Sequence, residues 1–233
     1  MWSSSDAARV RMTKTAMSTA SLRSRYRLDK IGAGYNGVRN VASNVAACAL
    51  LMLASATAMG RPTWSDGALL VLTTLLFNVV EYMFHRWLSH NKARRKTYRR
   101  HVSEHHGFFD HETMTSEHLA DLHVTILPTR SIVEYYVLFL AFYLAPCAWL
   151  LGLKSAAAAS LGVAANILLL DVLHYYYHMD EHLLLARILG RFGYFRALKE
   201  HHRIHHDRKI MTKCNFNITH PWCDILLGTR YKG

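Results

Sequence analysis

The chain has 233 residues, 51% hydrophobic and 19% charged, with four prolines and a formal net charge of +12. The apolar fraction excludes a largely disordered protein, and the length excludes a large multidomain enzyme. Four scattered cysteines, two of them (Cys48 and Cys147) inside apolar runs, exclude a secreted disulfide scaffold.

Residues 1–36 form a basic tail rich in Ser, Thr and Arg, in which Asp6 and Asp29 are the only acids. It reads as disordered. A transit peptide shares this composition, and Met12 or Met17 is an alternative start. Gly32, Gly34 and Gly37 spell G-x-G-x-x-G, but no hydrophobic strand precedes them, so the pattern reads as a flexible lead into the first helix.

Residues 37–233 read as one membrane domain. Val41 to Met59 carries no charge, and Gly67 to Val80 carries none before the apolar pattern runs on through Glu81 to Leu88. Tyr135 to Leu153 is uncharged, and so is Ser155 to Leu170, which continues through Asp171 to Tyr177. A spanning helix needs about 20 mostly apolar residues, and each stretch supplies them. Buried helices of a soluble bundle would carry a polar stripe, which the first and third stretches lack. The loop after the first stretch contains Arg61 as its only Lys or Arg, and the loop after the third contains Lys154. All other basic residues precede the first stretch, separate the second from the third, or follow the fourth. That is the positive-inside pattern of two helical hairpins with both termini and the central loop in the cytosol. The positive charge therefore reflects topology and contact with anionic head groups, not nucleic acid, for which no recognisable module is present.

The sixteen histidines fall into two blocks, each starting where the second helix of a hairpin ends. The first block offers His85 and His90, then His101, His105 and His106. The second offers His174 and His178, then His202, His205 and His206. Residues three or four apart share a helix face, so His174 pairs with His178, His101 lies over His105, and His202, His205 and His206 cluster. His85 and His90 are five apart, roughly 140° around an ideal helix, and converge only if the helix ends or bends between them. Ten imidazoles on four helix ends suit two metal ions, and nitrogen-only sites favour iron, zinc, copper or nickel over magnesium or calcium. Glu81 and Asp171 each sit about one turn before the first histidine of a block. Acids at membrane depth are usually functional, and metal-bound histidines often donate to carboxylates, so both are expected to support ligand imidazoles. His111, His118, His123, His182 and His220 stand alone, and His201 points off its cluster's face. Tyr175, Tyr176 and Tyr177 suit a cleft lining or an interfacial anchor, and Leu183 to Phe195 reads as an amphipathic surface helix.

This pattern resembles the fatty acid hydroxylase and sterol desaturase superfamily of membrane di-metal oxygenases. The likeness covers roughly residues 67 to 230 and extends to Asn215, Asp224, Gly228 and Thr229 near the end. It departs from the usual pattern in three places. Three residues separate His101 from the pair His105–His106, where two are usual. Asn217 stands where a glycine often follows the aromatic, and Cys223 precedes Asp224 where tryptophan is usual. The resemblance implies an all-α integral membrane protein, four transmembrane helices in two hairpins under a cytosolic helical cap that holds a His-rich di-metal site. It implies O2-dependent oxidation of a C–H bond in a membrane lipid or fatty acyl chain. Two iron ions are implied, with zinc substituting after purification, and all ten clustered histidines are the implied ligands. Electrons are expected from a separate cytochrome or ferredoxin with its reductase, and the host membrane is a bacterial inner membrane or the ER. A carotenoid or sterol-like lipid is the alternative substrate, and a zinc hydrolase or metal transporter the more distant alternative.

Overall fold

The computed structural model describes residues 20–233, which are helical, with one isolated bridge between Asp110 and Thr113 and no strand among them. Four helices are long and apolar enough to cross a membrane: Gly37–Met59, Trp64–Ser89, Leu119–Leu151 and Leu153–Tyr177. Each contains or overlaps one of the four apolar stretches, and together they make an integral membrane protein. The third span is interrupted over 126–128, ahead of Thr129, and is continuous from there to Leu151. Outward-facing Leu50, Leu53, Leu72, Val137, Phe142 and Leu150 are exposed, as a surface that meets lipid must be.

The fourth span is the axis of the bundle. It is 61% buried, against 17% to 28% for the others, and it packs on all three. Small residues make this possible: Ala157, Ala158, Ala159, Ser160, Gly162 and Ala164 all lie inside. A Cβ on Gly162 would come within 3.0 Å of Thr73 Cβ, so glycine sets the approach of the second span. Hydroxyls and amides fasten the helices across this seam. Ser160 Oγ lies 2.6 Å from both Ser55 Oγ and Tyr136 Oη, and Asn166 donates to Thr74 Oγ1 at 3.0 Å. At one end of the bundle, Lys154 Nζ donates to the Arg61 carbonyl at 2.8 Å, so the two short loops lie side by side.

The expected disordered tail is corrected over its described part. A helix covers 20–29, and its Arg23 is only 5% exposed, held by carbonyls of Phe108, Thr113 and Thr115 and by Glu117. Residues 1–19 of that tail lie outside the described residues. Gly37 is also more than a flexible lead, because a Cβ there would collide with the Leu119 carbonyl. Leu183 to Phe195 is not one helix. It divides into Leu184–Leu189 and the start of Gly193–His205. Tyr176 and Tyr177 are buried, and Tyr177 Oη donates to the Ile218 carbonyl at 2.7 Å, so they serve the core and neither a cleft nor an interface.

Candidate metal centre

The ends of the second and fourth spans, segment 99–108 and the helix Gly193–His205 converge, and they bring the ten clustered histidines together. Two groups form. His85, His90, His101, His106 and His205 make the first, and His105, His174, His178 and His202 the second, with the candidate ligand atoms of each group all within 4.8 Å of one another. His206 lies between them: its ring stacks on His106 at 4.2 Å and its Nε2 is 3.0 Å from that of His202. His111, His118, His123, His182 and His220 belong to neither group.

Two π-helical turns solve the spacing problem. Phe84–Ser89 is π-helical and His90 N–H donates to the His85 carbonyl at 3.2 Å, which stacks residues five apart instead of rotating them away. The two Nε2 atoms end 3.3 Å from each other. The same device operates over Arg99–His105, where His106 N–H donates to the His101 carbonyl and the two Nε2 atoms are 3.0 Å apart. The additional residue in this box is absorbed by the wider turn. One consequence corrects the helical-face reading. His101 joins His106, and His105 goes to the other group, although the His101 and His105 rings still stack at 5.4 Å.

The tautomers are dictated by the backbone. Nδ1 of His85 donates to the Phe216 carbonyl, and Nδ1 of His205 to that of Cys214 at 2.9 Å. In the second group, Nδ1 of His105 donates to the Val124 carbonyl at 2.9 Å and Nδ1 of His178 to that of Met114 at 2.8 Å. His206 donates likewise to Phe109 at 2.8 Å. A carbonyl only accepts, so each of these Nδ1 atoms carries the ring proton and each Nε2 keeps its lone pair. Burial, with neighbouring imidazoles, pushes His101, His105, His106, His178, His202 and His206 well below the ordinary histidine value. Burial lowers His205 to about 4. The rings are therefore neutral, which is the ligating form.

Inward lone pairs at such separations repel unless a cation lies among them. Ligand nitrogens at right angles around a metal about 2.1 Å away stand roughly 3.0 Å apart. The neighbouring Nε2 atoms here are 2.7 Å apart for His85 and His101, 3.1 Å for His105 and His174, and 3.3 Å for His178 and His202. Both groups fit a transition metal, and the all-imidazole donor set excludes magnesium and calcium.

Glu81 and Asp171 touch no imidazole, contrary to the sequence expectation: the histidines that follow them, His85 and His174, bond the backbone of Phe216 and Thr125 instead. Glu81 accepts from the backbone of Ile218 and Thr219, from Asn217 Nδ2 and from Thr219 Oγ1. It anchors the strap that begins at Phe216. Asp171 accepts from Asn44 Nδ2 and Leu127 N–H, both at 2.8 Å, and so pins the break that follows Thr125. Asp224 is the other anchor of the strap. It accepts from Phe216 N–H at 2.9 Å, Asn217 N–H at 2.7 Å, Thr229 Oγ1 at 2.7 Å and His201 Nε2 at 3.2 Å. Burial pushes its carboxyl up, but these donors outweigh burial and hold it below the usual range. His201, off the cluster's face as expected, thus braces the strap.

A cavity of about 590 Å³ reaches both groups. His85 and His101 line it from the first, His105 and His174 from the second, and Val80, Phe84, Leu138, Phe139, Ile167 and Leu170 form its apolar walls.

A family model described as fatty acid hydroxylase matches residues 70–229. No curated relative and no solved structure matches the chain.

Proposed function

From the premise that this chain belongs to the fatty acid hydroxylase family, a family of membrane oxidoreductases, we propose that it hydroxylates a C–H bond of a membrane lipid or fatty acyl chain in an O2-dependent reaction. The observation that carries this reading is the shared cavity. One apolar passage between the second, third and fourth spans ends on histidines of both groups.

Two iron ions would be held, one by His85, His90, His101, His106 and His205, the other by His105, His174, His178 and His202, with His206 between them. Iron bound there would activate dioxygen, which, with two electrons from a separate donor, is the oxidant of the C–H bond, one oxygen atom going to the lipid and the other to water. The chain's own residues do the rest. Leu138, Phe139, Ile167 and Leu170 admit an apolar chain and exclude water from it. The carbonyls of Phe216, Cys214, Val124, Met114 and Phe109 fix His85, His205, His105, His178 and His206 with Nε2 inward and raise their basicity. Electrons come from a separate cytochrome or ferredoxin with its reductase. A desaturation, or a carotenoid or sterol-like substrate, uses the same groups and cavity. A transporter would place ligands at mid-membrane on broken helices, whereas these histidines gather at one end of the bundle.

The positive-inside distribution supports two hairpins with termini and metal groups on the cytosolic side, and the adjacency of Arg61 and Lys154 supports a common opposite side for the two short loops. Tags at Arg61 and Lys154 are expected outside and tags within 94–100 inside.

The decisive experiment expresses the chain with a generic redox partner and compares extracted lipids by mass spectrometry with a His205→Ala control. A lipid that gains an oxygen atom only with the unaltered chain supports hydroxylation, and one that loses two hydrogens supports desaturation. Identical lipid profiles refute both.

A further inference from the structure

The cavity also has a charged rim, on which the Arg99 and Arg130 side chains are largely exposed. Lys96, Arg99, Arg100 and Arg130 line it there, together with Glu104 and Glu134. Arg130 is paired with Glu134 at 2.7 Å. Arg99 and Arg100 share Glu104 at 3.6 Å and 4.0 Å, and Arg100 also donates to the His123 carbonyl at 2.7 Å. Lys96 has no ion-pair or hydrogen-bond partner among the described residues. Glu81, the remaining acid of the lining, is occupied by the N–H groups of Ile218 and Thr219 and by Asn217 Nδ2. Four cations thus face two carboxylates at the mouth. The excess of two positive charges is carried on helical walls, segment 95–105 and the first turns after Thr129.

We infer that this mouth reads an anionic head group, carboxylate or phosphate, on a lipid whose apolar chain runs down the cavity toward His85 and His174. The inference rests on the reading of the cavity as the substrate passage. Its volume suits one small-molecule-sized group and so one chain, not two. Guanidinium groups match carboxylate and phosphate oxygens in a two-bond fork, whereas an alcohol or a polycyclic hydrocarbon leaves them unanswered. Basic residues near a membrane surface also attract anionic lipids in general. Position decides between these roles: Arg95 opens the same segment and Lys92 lies in the turn before it, yet neither lines the mouth.

The test compares three probes with the same chain, oleate, 1-oleoyl lysophosphatidate and oleyl alcohol, by titration calorimetry on the metal-loaded protein in neutral detergent at low salt. Both anions should bind at least about tenfold more tightly than the alcohol, the gain expected from a charge-assisted pair. The tighter of the two names the head group. Arg99→Gln with Arg130→Gln should close the gap while metal content and helix content hold, and Lys92→Gln with Arg95→Gln should leave it open. Equal affinity for the alcohol, or equal losses in the two double variants, overturns the head-group site. A neutral lipid oxidised in the His205-dependent comparison also overturns it and leaves the oxidase reading intact. Anion-selective binding without any His205-dependent product upholds the mouth and removes the oxidase reading.

Discussion

The Asp224 carboxylate accepts the backbone N–H of Phe216 at 2.9 Å, and the carbonyl of that same residue receives the Nδ1 proton of His85. A charge that other metal sites place directly on histidine here acts through the Phe216–Asn217 peptide, whose carbonyl holds His85 and whose N–H donates to Asp224 at 2.7 Å. Asp224 also takes Asn217 N–H, Thr229 Oγ1 and His201 Nε2, so four donors depend on it. Asp224→Asn replaces one acceptor oxygen with an NH2 that faces donors. Each buried donor left unpaired costs about 1–3 kcal/mol. The variant should melt at lower temperature and lose metal from the first group before the second. Metal analysis across a chelator titration, with the melting temperature alongside, checks this, and an unchanged melting temperature would remove Asp224 from the account.

Asn215 has φ of 59°, the one positive value on a non-glycine residue among those described. This turn aims the flanking carbonyls of Cys214 and Phe216 at His205 and His85. Asn215→Gly and Asn215→Ala both remove the side-chain bonds to His201 O and from Tyr231 N–H. Only alanine adds the left-handed strain, about 1–2 kcal/mol. Alanine should therefore be the less stable of the two by that margin in denaturant titration. Equal stabilities would show that the turn relaxes freely.

His105 and His106 are neighbours in sequence and belong to different groups. If each group holds one ion, as proposed, alanine at either should lower the metal content by about one ion per chain, and the double variant should lower it toward none. Loss of both ions from each single variant would mean that the groups fill only together.

Much of this was legible in the chain. Gly37–Met59 and Leu153–Tyr177 announce themselves by their long uncharged stretches, 41–59 and 155–170, and the ten histidines by their spacing. Their division was not legible, because the helical rule pairs His101 with His105 while the π turn pairs it with His106. The groups that orient the rings, the carbonyls of Phe109, Met114, Val124, Cys214 and Phe216, carry no residue signature at all. The acids were seen at Glu81 and Asp171, but their partners, Thr219 and Asn44, lie more than a hundred residues away. The helix over 20–29 reads as tail for the same reason: nothing near Arg23 in sequence shows what it binds.

Arg23 supplies the last prediction. Its Nε donates to the Phe108 carbonyl at 2.8 Å, its Nη1 to Thr115 O at 3.4 Å and Glu117 at 2.9 Å, and its Nη2 to Thr113 O. The guanidinium also lies 5.1 Å and 5.2 Å from the ring centroids of Phe108 and Phe109. The loop it gathers carries the Phe109 carbonyl that holds His206 and the Met114 carbonyl that holds His178. Its reach is thus the second group and the residue between the groups, not the strap under Asp224. Lysine keeps the charge but cannot fork to three carbonyls, and methionine keeps the stem and loses every donor. Arg23→Lys should weaken metal retention at the second group, and Arg23→Met should weaken it further, while the first group keeps its ion. Competition with a graded chelator reads this as a biphasic release in the variants. Release that stays the same as in the unaltered chain would confine Arg23 to fastening the 20–29 helix.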